Sequence, residues 1–532
     1  MKRDVRAFLV AILTLFPFSF LSIPTRIRPI GLCLLLLILF LFPLTCFSQD
    51  TLPRPKIGLV LSGGGAKGLA HIGVLKKIDE AGIKIDYIGG TSMGAVVGGL
   101  YASGYTGIQI DSIFKAADYD AIIQDYTPRV SKDYYERENN DRYALTLPFN
   151  KFKLGVPIAL SRGLYNYNLM TRLMDHVRHE RNFKKLPIPF VCMATDIETG
   201  QEVLLDHGFL SQAIVASGAL PTLYAPVIID GRFLIDGGVL NNFPVEEVKN
   251  MGADIIIGVD VQYELKEREE LTEATKLMVQ ISNLQMIKKM EEKKHLIDIY
   301  IKPSINEFTV VSFDKGPEII KIGEDVAMEY MEAFKKLSTN YKRPTRVFPK
   351  KETDSIYISS IKINPLENYT KYYIQSKLRF KPGQKISYAD LVRGIDYLNT
   401  TQNFSSLSYT LEKEEEGDQL NLFLVENPMK TYLKLGLHYD GLFKSGILVN
   451  YTKKKLLFKN DVFSADVVLG DNFRYFLDYN VDIGYNLSVG LNSKFYQFNR
   501  NVNTNFSAWD VLREAGTNSI NIDYRDFTNQ LY

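Results

Sequence analysis

A serine in a glycine-flanked pentapeptide is the first group that could do chemistry. Residues 90–94 read Gly-Thr-Ser-Met-Gly, so Ser92 lies between Gly90 and Gly94 in the pattern G-x-S-x-G. A strand that ends at Ile88 and a helix of small residues after the pattern are the expected context. A tight strand-to-helix turn exposes the serine hydroxyl, and the helix N-terminus behind it stabilises negative charge. The pattern therefore predicts a nucleophilic serine.

A glycine-rich loop is the second candidate. Residues 62–68 read Ser-Gly-Gly-Gly-Ala-Lys-Gly, after a predicted strand over Ile57–Leu61 and before a predicted helix that begins at Leu69. Consecutive backbone N–H groups in such a loop form a concave surface that suits an oxyanion or a phosphate. Lys67 could help to hold an anionic head group there, or its side chain could be solvated.

The same loop permits another interpretation. Gly63, Gly65 and Gly68 spell G-x-G-x-x-G, and Asp86 follows at the spacing of the acidic residue that binds a ribose in dinucleotide-binding folds. A phosphate-binding P-loop is excluded, because Leu69 stands where that motif requires lysine. From the loop alone, oxyanion binding and dinucleotide binding both stay open.

An aspartate supplies the third candidate. Asp236 precedes two glycines and follows the strand-like residues 233–235. An Asp-Gly pair usually marks only a turn. However, the sequence offers few histidines for a catalytic triad in the order Ser, Asp, His. Only His295 and His438 follow Asp236, and they lie in a predicted charged helix and in a strand-rich region. Without a histidine base, Ser92 needs another proton acceptor within hydrogen-bond reach. A partly buried carboxylate can serve, because burial raises its pKa.

Together, the three motifs resemble the signatures of the patatin-like phospholipase family in order and spacing. Residues 216–221 look like the family's A-S-x-A-x-P segment, and Asn241, Asn242 and Pro244 also fit. The resemblance spans about residues 56–270. It implies a three-layer α/β/α hydrolase that cleaves fatty acyl esters of membrane lipids, as a phospholipase A does, without a cofactor or a metal. The dinucleotide interpretation becomes the weaker one.

The resemblance also implies a role for each matched residue. Ser92 would be the nucleophile and Asp236 its base, and the two would form a Ser-Asp dyad. The backbone of the glycine loop would form the oxyanion hole, and further residues of the loop and turns would support the motifs. The implied oxyanion hole is Gly63, Gly64, Gly65 and Ala66, and the supporting residues are Lys67, Gly68, Gly90, Gly94, Gly237 and Gly238.

The elements that must position these residues alternate between strands and helices. Helices such as Leu69–Ala81 intervene between apolar runs, so the class is α/β, and the hydrolase domain is predicted over residues 56–337. Residues 338–355 are polar, with prolines and an excess of basic residues, which indicates a linker. The apolar runs that predict buried strands of a parallel sheet are Ile57–Leu61, Tyr87–Ile88, Phe190–Ala194 and Ile255–Val261.

The C-terminal part departs from this pattern. Residues 356–428 predict a β-α-α-β-β order, a small α+β domain that resembles a polypeptide-transport-associated (POTRA) domain. Residues 430–532 are strand-like, and residues 473–491 alternate apolar and polar side chains with only Phe476 out of step. In an exported chain, this alternation suits an antiparallel transmembrane β-barrel, and a soluble β-sandwich is the alternative. The region resembles the start of a surface-antigen type outer-membrane barrel. Its length allows a small barrel, a barrel that needs a partner, or part of a barrel in a fragment of a longer protein, and we expect an incomplete barrel.

Residues 1–48 predict a signal peptide. Basic residues precede two apolar runs, and the denser run, Leu32–Leu44, has the length of a signal-peptide core and is short for a membrane span. A cut after Ser48 fits the small residues there, and an uncleaved anchor is the alternative. The whole arrangement resembles the self-secreting (type V) patatin proteins of Gram-negative bacteria. That implies an outer-membrane protein whose catalytic domain is periplasmic, surface-exposed or secreted.

Charge and composition narrow the function classes. Lys and Arg number 63 against 61 Asp and Glu, a net charge of +2, so no electrostatic attraction to nucleic acid is expected. Hydrophobic residues at 46% and charged residues at 23% exclude a wholly disordered chain and a polytopic helical membrane protein. The expected partners are a lipid substrate and the outer membrane, and a homo-oligomer stays open. The rival function is an outer-membrane assembly or secretion factor with a non-catalytic cargo or lipid-binding domain.

Four further features have predictions of their own. His71 is expected to be packed or capped rather than catalytic. His176 and His179, three apart on a predicted helix, are expected on a solvated face rather than at a metal. Residues 264–296 predict a charged amphipathic helix with a solvated face. Residues 124–166, which are polar and aromatic, predict either a mobile cover over the site or an ordinary loop.

Overall fold

The computed structural model describes most of the chain beyond the N-terminal segment. The predicted signal peptide lies outside the described residues, as does most of the predicted linker. Lys56–Tyr532 form one compact unit, within which all contacts below are made. The described residues are 54–132, 137, 142–155, 158–265, 267–272, 274–343, 355–484, 487–503, 514–516 and 518–532.

Strands of residues 56–337, the predicted hydrolase domain, which is called the hydrolase region below, build a mostly parallel sheet in the order β10-β9-β1-β2-β5-β8-β7. β1 runs parallel to both β2 and β9, whereas β8 runs antiparallel to β5, and β6 pairs with β5 outside this order. β3 and β4 form a separate hairpin. The strands are β1 (Ile57–Leu61), β2 (Tyr87–Thr91), β3 (Leu145–Asn150), β4 (Lys153–Leu154), β5 (Phe190–Asp196), β6 (Gln201–Leu205), β7 (Val227–Ile229), β8 (Arg232–Asp236), β9 (Ile255–Val259) and β10 (Ile299–Ile301).

Helices cover both faces of this sheet, and none of the helices in the described residues is long and apolar enough to cross a membrane. They are α1 (Ala70–Ala81), α2 (Met93–Ala102), α3 (Gly107–Lys115), α4 (Tyr119–Gln124), α5 (Leu164–Leu173), α6 (Leu210–Ser217), α7 (Val245–Asn250), α8 (Ala274–Lys293), α9 (Gly316–Glu329) and α10 (Met331–Leu337).

The alternation of β1 explains the three layers. Leu59 and Leu61 are buried in one core cluster, which includes α1. Val60 points the other way and packs with Val248 of α7 and Met290 of α8 in a second cluster. Successive side chains of a strand point to opposite faces, so a strand that is apolar throughout must be covered on both sides. The predicted α/β class with a three-layer α/β/α domain is confirmed.

A small α+β module follows the hydrolase region. Its sheet has the order β12-β11-β14-β13, with β11 and β14 parallel. The predicted order lacked β12, because this four-residue strand carries a single apolar residue, Ile386, and gives no alternation to detect. The elements are β11 (Ser355–Ile363), α11 (Lys371–Leu378), β12 (Gln384–Ser387), α12 (Tyr388–Thr400), β13 (Phe404–Lys413) and β14 (Asp418–Glu426).

Long antiparallel strands complete the chain in a sheet of order β20-β19-β18-β17-β16-β15-β3-β4. Leu437 and Leu491 are exposed on one face, whereas Asn450 and Asp466 are buried on the other. This arrangement is consistent with the predicted barrel segment, and within the described residues the sheet is not closed. The strands are β15 (Thr431–Asp440), β16 (Lys444–Lys454), β17 (Asp461–Gly470), β18 (Arg474–Gly484), β19 (Leu487–Asn503) and β20 (Ser519–Leu531).

The β3–β4 hairpin belongs to the segment that was expected to be a cover or a loop. Instead, β3 pairs antiparallel with β15, with Leu147 opposite Leu433. Tyr143, just before the hairpin, donates its hydroxyl to Asp466 on the polar face of the same sheet at 2.7 Å. The hairpin therefore ties the hydrolase region to the C-terminal strands, through pairing between residues far apart in the sequence.

The histidine pair that was expected on a solvated face lies at a junction. His176 shares a hydrogen bond of 2.9 Å with the Ser103 carbonyl. Arg178 and His179 contact the buried carboxylate of Asp418 in the α+β module, at distances from 2.5 to 3.2 Å. The expectation of a solvated face holds for His179, which stays exposed, but not for His176 and Arg178, which are half-buried. The local pattern does not reveal the α+β module that contacts this segment.

Candidate active site

Ser92 lies at the turn between β2 and α2. Its backbone has φ 55° and ψ −125°, a left-handed conformation that is strained for a residue with a side chain. Gly90 lies in β2 and Gly94 in α2, so the sharp turn brings strand and helix close together. The Ser92 N–H donates to the Ser217 hydroxyl at 3.1 Å. A strained backbone of this kind persists only where neighbouring contacts hold it. Here the bond to Ser217 holds the turn, and the turn sets the position of the Ser92 hydroxyl.

Asp236 is the hydrogen-bond partner of that hydroxyl. Ser92 Oγ donates to Asp236 Oδ2 at 2.6 Å. Asp236 ends β8, and its other oxygen accepts the Gly238 N–H at 2.7 Å in the turn that begins with Gly237. The Asp236 N–H donates to the Ala219 carbonyl at 2.9 Å. The segment that contains Ser217 and Ala219 therefore holds both members of the pair.

Burial changes the acidity of this aspartate. The carboxyl is only 4% exposed, and its burial raises the pKa of Asp236 from 3.8 to about 6, although hydrogen bonds from Ser92 and Gly238 oppose the rise. A carboxylate in a site with few charges holds its proton more strongly than one in water. At neutral pH Asp236 is thus ionised and is a stronger base than an ordinary aspartate.

Histidine takes no part in this pair. The nearest histidine in the motif region, His71, shares a hydrogen bond of 2.8 Å between its Nε2 and the Ser62 carbonyl. Burial lowers the pKa of His71 to about 4, so its ring is neutral at physiological pH. Among the described residues, no group of three His, Cys, Asp or Glu side chains is placed to hold a metal ion.

The glycine loop passes directly beside Ser92. A Cβ on Gly63 would lie 2.8 Å from the Ser92 Cβ, so only glycine permits this approach. Asn242 clamps the loop from both sides, since its Oδ1 accepts the Gly63 N–H at 3.1 Å and its Nδ2 donates to the Gly63 carbonyl at 3.2 Å. Sequence reasoning gave Asn242 no role beyond its fit to the family.

Only part of the loop is free to bind an anion. The Gly63 N–H donates to Asn242, the Ala66 N–H donates to the Val310 carbonyl at 2.9 Å, and the Lys67 N–H donates to the Gly64 carbonyl. Among the described residues, the N–H groups of Gly64 and Gly65 have no acceptor. Of the four residues that the family resemblance assigned to the oxyanion hole, these two have available donors.

Lys67 lies neither at a head-group position nor in solvent. Its side chain is fully buried in a short 3₁₀ helix, Gly65–Leu69, and its Nζ has no hydrogen-bond acceptor among the described residues. The Nζ lies 3.2 Å from the centre of the Tyr263 ring. Burial, together with the nearby Lys302, lowers the pKa of Lys67 to about 7. Gly68, in the same helix, packs against Met93 beside the nucleophile.

Helix α8, which was expected to have a solvated face, covers the turn after Asp236. Lys289 donates to the Leu240 carbonyl at 3.3 Å, and Lys293 donates to Asn241 Oδ1 at 3.1 Å. Ile287, in the same half of the helix, is buried. The C-terminal half of α8 therefore supports the site, although half of its residues are charged.

Two families match separate parts of this chain. The patatin-like phospholipase family matches residues 59–249, which contain Ser92 and Asp236. The OMP85 superfamily matches residues 418–532. Both matches agree with the two parts of the fold that the structure shows.

Relatives of known name match the hydrolase region. The chain is 28% identical over 302 residues to lysophospholipase NTE1 of Candida glabrata, and the match covers 52% of this chain and 16% of the relative. Lysophospholipase NTE1 of Saccharomyces cerevisiae is 28% identical over 301 residues, with the same shares covered. The chain thus spans about a sixth of the length of these relatives.

A solved structure, VipD from Legionella pneumophila, is 16% identical with a TM-score of 0.31, and the match covers 53% of this chain and 67% of that one. These matches to solved structures are too distant to carry an argument. The chain therefore carries a region similar to patatin-like phospholipases, followed by a C-terminal region similar to the OMP85 superfamily.

Proposed function

We propose that this chain is a serine lipid acyl hydrolase of the phospholipase A type, in which Ser92 and Asp236 form a catalytic dyad. The observation that carries the proposal is the 2.6 Å hydrogen bond from Ser92 Oγ to a buried carboxylate, at a strained strand-to-helix turn. A nucleophile and a base within hydrogen-bond reach are the minimum for covalent acyl transfer.

Acylation begins when Ser92 Oγ attacks the carbonyl carbon of a lipid ester. Asp236 accepts the hydroxyl proton, and the carbonyl oxygen becomes an oxyanion, which the N–H groups of Gly64 and Gly65 stabilise. One such donor is worth about 3–4 kcal/mol in related sites. When the tetrahedral intermediate collapses, the C–O bond to the lipid alcohol breaks, and Asp236 returns the proton to the departing alcohol oxygen.

Deacylation repeats these steps with water. Asp236 takes a proton from a water molecule as its oxygen attacks the acyl-enzyme carbonyl, and the same amides hold the second oxyanion. The bond between the acyl carbon and Ser92 Oγ breaks, the proton moves to Oγ, and a free fatty acid leaves. The raised pKa of Asp236 suits both roles, because a base near the working pH accepts and returns a proton readily.

The substrate class follows from the family and the relatives. Lysophospholipase is the name of the relatives that match the hydrolase region, and we propose phospholipids or lysophospholipids as substrates. These lipids share an ester carbonyl whose oxygen becomes the oxyanion that the proposed donors stabilise.

We also propose that the chain acts at the outer membrane. The OMP85-superfamily match and the exposed apolar face of the C-terminal strands support a barrel that is embedded in lipid. In this proposal residues 1–48 are a signal peptide, residues 356–428 are a POTRA-like domain, and the catalytic domain is periplasmic, surface-exposed or secreted.

Purified full-length protein in detergent tests the catalytic proposal with a fluorogenic phospholipid. Ser92→Ala and Asp236→Asn are each expected to abolish turnover while circular dichroism stays native. Matched controls are Ser112→Ala, on the surface of α3, and Asp196→Asn, a buried aspartate that accepts the Glu198 N–H at 3.0 Å. Full turnover by folded Ser92→Ala protein would refute the dyad.

The rival function is an outer-membrane assembly or secretion factor whose α/β domain is not catalytic. The OMP85-superfamily match favours it as a second candidate. It predicts no turnover by the wild-type protein on any acyl ester, whereas the dyad predicts turnover that depends on Ser92. The junction at Asp418 argues for using the whole chain in this assay, because the hydrolase region alone would expose that contact.

A further inference from the structure

We infer that Tyr263 is a positioning residue that holds the glycine loop in the shape required for oxyanion binding. The inference rests on the proposed function, and it adds a residue that the sequence motifs do not contain. Tyr263 lies after β9, outside the residues that the patatin-like family matches. Three contacts connect it to the loop in a closed circuit.

The first contact is between a cation and the face of the ring. The Lys67 Nζ lies 3.2 Å from the centre of the Tyr263 ring, and its side chain is fully buried. An ammonium group over an aromatic face is attracted by the negative charge of the ring's π-electrons, and the attraction strengthens when water is absent. The ring thus stabilises the buried ammonium group, to which the carboxylate of Asp260 also contributes.

The second contact fixes the ring itself. The Tyr263 hydroxyl donates to the Phe308 carbonyl at 2.9 Å. Phe308 is buried in the segment between β10 and α9, and Phe313 of the same segment stacks on Tyr119 with ring centres 4.9 Å apart. The segment is therefore anchored to the hydrolase core and gives the ring a fixed support.

The third contact returns to the loop. The Val310 carbonyl, two residues after Phe308, accepts the Ala66 N–H at 2.9 Å. A Cβ on Gly65, whose φ is +56°, would lie 2.3 Å from this same carbonyl oxygen. The segment thus presses against the loop at the position next to the free N–H groups.

These three contacts therefore hold two adjacent loop residues, Ala66 through its backbone N–H and Lys67 through its side chain. Both immediately follow Gly64 and Gly65, whose N–H groups are available to an oxyanion. Without these contacts, the N–H groups of Gly64 and Gly65 are expected to move away from the position of the oxyanion. Oxyanion donors act in the transition state and not on the bound ester, so the loss falls on kcat and leaves KM unchanged.

The test compares full-length variants with the fluorogenic phospholipid. Tyr263→Leu removes the ring and the hydroxyl, and kcat is expected to fall about tenfold with KM within about twofold of wild type, less than the loss of a whole donor. Tyr263→Phe keeps the ring for Lys67 and is expected to lose several-fold less. Tyr105→Phe is the matched control, because it also removes a bond from a buried tyrosine hydroxyl to a carbonyl, here of Leu173.

A second readout separates positioning from general damage. A trifluoromethyl ketone analogue of the lipid adds to Ser92 and forms a tetrahedral oxyanion, so its inhibition constant should rise by the same factor as kcat falls. Micelle binding and the melting temperature of Tyr263→Phe should stay near those of wild type. Lys67→Met should resemble Tyr263→Leu, since it removes the cation from the same contact.

The outcomes are separable from those of the proposed function. Wild-type protein without turnover would sink the hydrolase proposal itself. Wild-type turnover with an unchanged kcat in folded Tyr263→Leu, or a loss that falls only on KM, would overturn the role of Tyr263 alone. If Tyr263→Leu does not fold, Lys67→Met decides in the same way, because an unchanged kcat and inhibition constant would break the circuit.

Discussion

Buried polar groups follow opposite patterns in the hydrolase core and in the C-terminal sheet. In the hydrolase region, the Asp236 carboxylate accepts hydrogen bonds only from Ser92 and Gly238 among the described residues, and the Lys67 Nζ has no acceptor there. Burial moves the pKa of each group toward neutrality. In the sheet, Asn450 donates to both Ser464 and Asp466 at 2.7 and 2.6 Å. An isolated buried group is costly but reactive, whereas a satisfied network is rigid. This contrast indicates a catalytic role (chemistry) for the hydrolase region and a structural role (architecture) for the C-terminal sheet.

The pH dependence of catalysis gives the largest expected effect. Asp236 must be ionised to accept the Ser92 proton, and its pKa is about 6. We expect kcat/KM to fall about tenfold per pH unit well below that value, and to be roughly 100-fold lower at pH 4 than on the plateau above pH 7. Initial rates in buffers of constant ionic strength measure this. A flat profile down to pH 4 would mean that Asp236 is not the base.

The clamp on the glycine loop gives the next effect. Asn242→Ala removes both side-chain hydrogen bonds to Gly63 and leaves the bond from the Gly63 N–H to the Asn242 backbone carbonyl. We expect kcat to fall about tenfold because the loop beside Ser92 is held less firmly. Gln212→Ala, which removes an amide bond to the Ile228 carbonyl elsewhere in the domain, is the control. Equal rates for the two variants would remove Asn242 from the site.

The buried carboxylate of Asp236 should also lower the free energy of unfolding of the protein. Burial raises the pKa of Asp236 from 3.8 to about 6, so the folded state binds this proton more tightly than the unfolded state does. The free energy of unfolding therefore decreases as the pH rises from 3.8 to 6, where Asp236 ionises. At pH 7 we therefore expect Asp236→Asn to have a free energy of unfolding about 1–3 kcal/mol higher than that of wild type, which thermal unfolding measures. The gain should shrink as the pH falls toward 4. A variant less stable than wild type at pH 7 would contradict the argument.

The network in the sheet should respond least. Tyr143→Phe removes the 2.7 Å bond to Asp466, which keeps its bond from Asn450. We expect a loss of about 0.5–1.5 kcal/mol in stability and no change in kcat. Thermal unfolding in detergent and the phospholipid assay measure the two quantities. A change in kcat would show that the hairpin region affects the site, contrary to the division between chemistry and architecture.

Local patterns revealed the parts of the site that lie within one element or turn. The turn at Ser92 could be predicted because a strand, a glycine pattern and a helix are adjacent in the sequence. Asp236 was reached by eliminating the histidines and by the family resemblance. The apolar runs of β1, β5 and β9 were visible because both faces of the sheet are covered.

Contacts between distant segments could not be predicted in this way. The burial of Lys67 depends on Tyr263 and on the segment that contains Val310, and neither has a pattern that points to the glycine loop. The pairing of β3 with β15 has the same origin. Likewise, the position of His179 against Asp418 depends on a second module, so the local sequence around His179 predicted only a solvated helix face. In the structure this residue lies in a turn after the short 3₁₀ helix Asp175–Val177.

The reactivity of Ser92 toward a fluorophosphonate tests the central claim most directly. The reagent forms a bond between Ser92 Oγ and phosphorus as fluoride leaves, and Asp236 must accept the hydroxyl proton. Peptide mass spectrometry of the full-length protein should find one adduct, on Ser92, that forms at a rate which levels off above about pH 6 and is at least about 100-fold lower in Asp236→Asn. An adduct on another residue, or an equal rate in folded Asp236→Asn protein, would contradict the dyad.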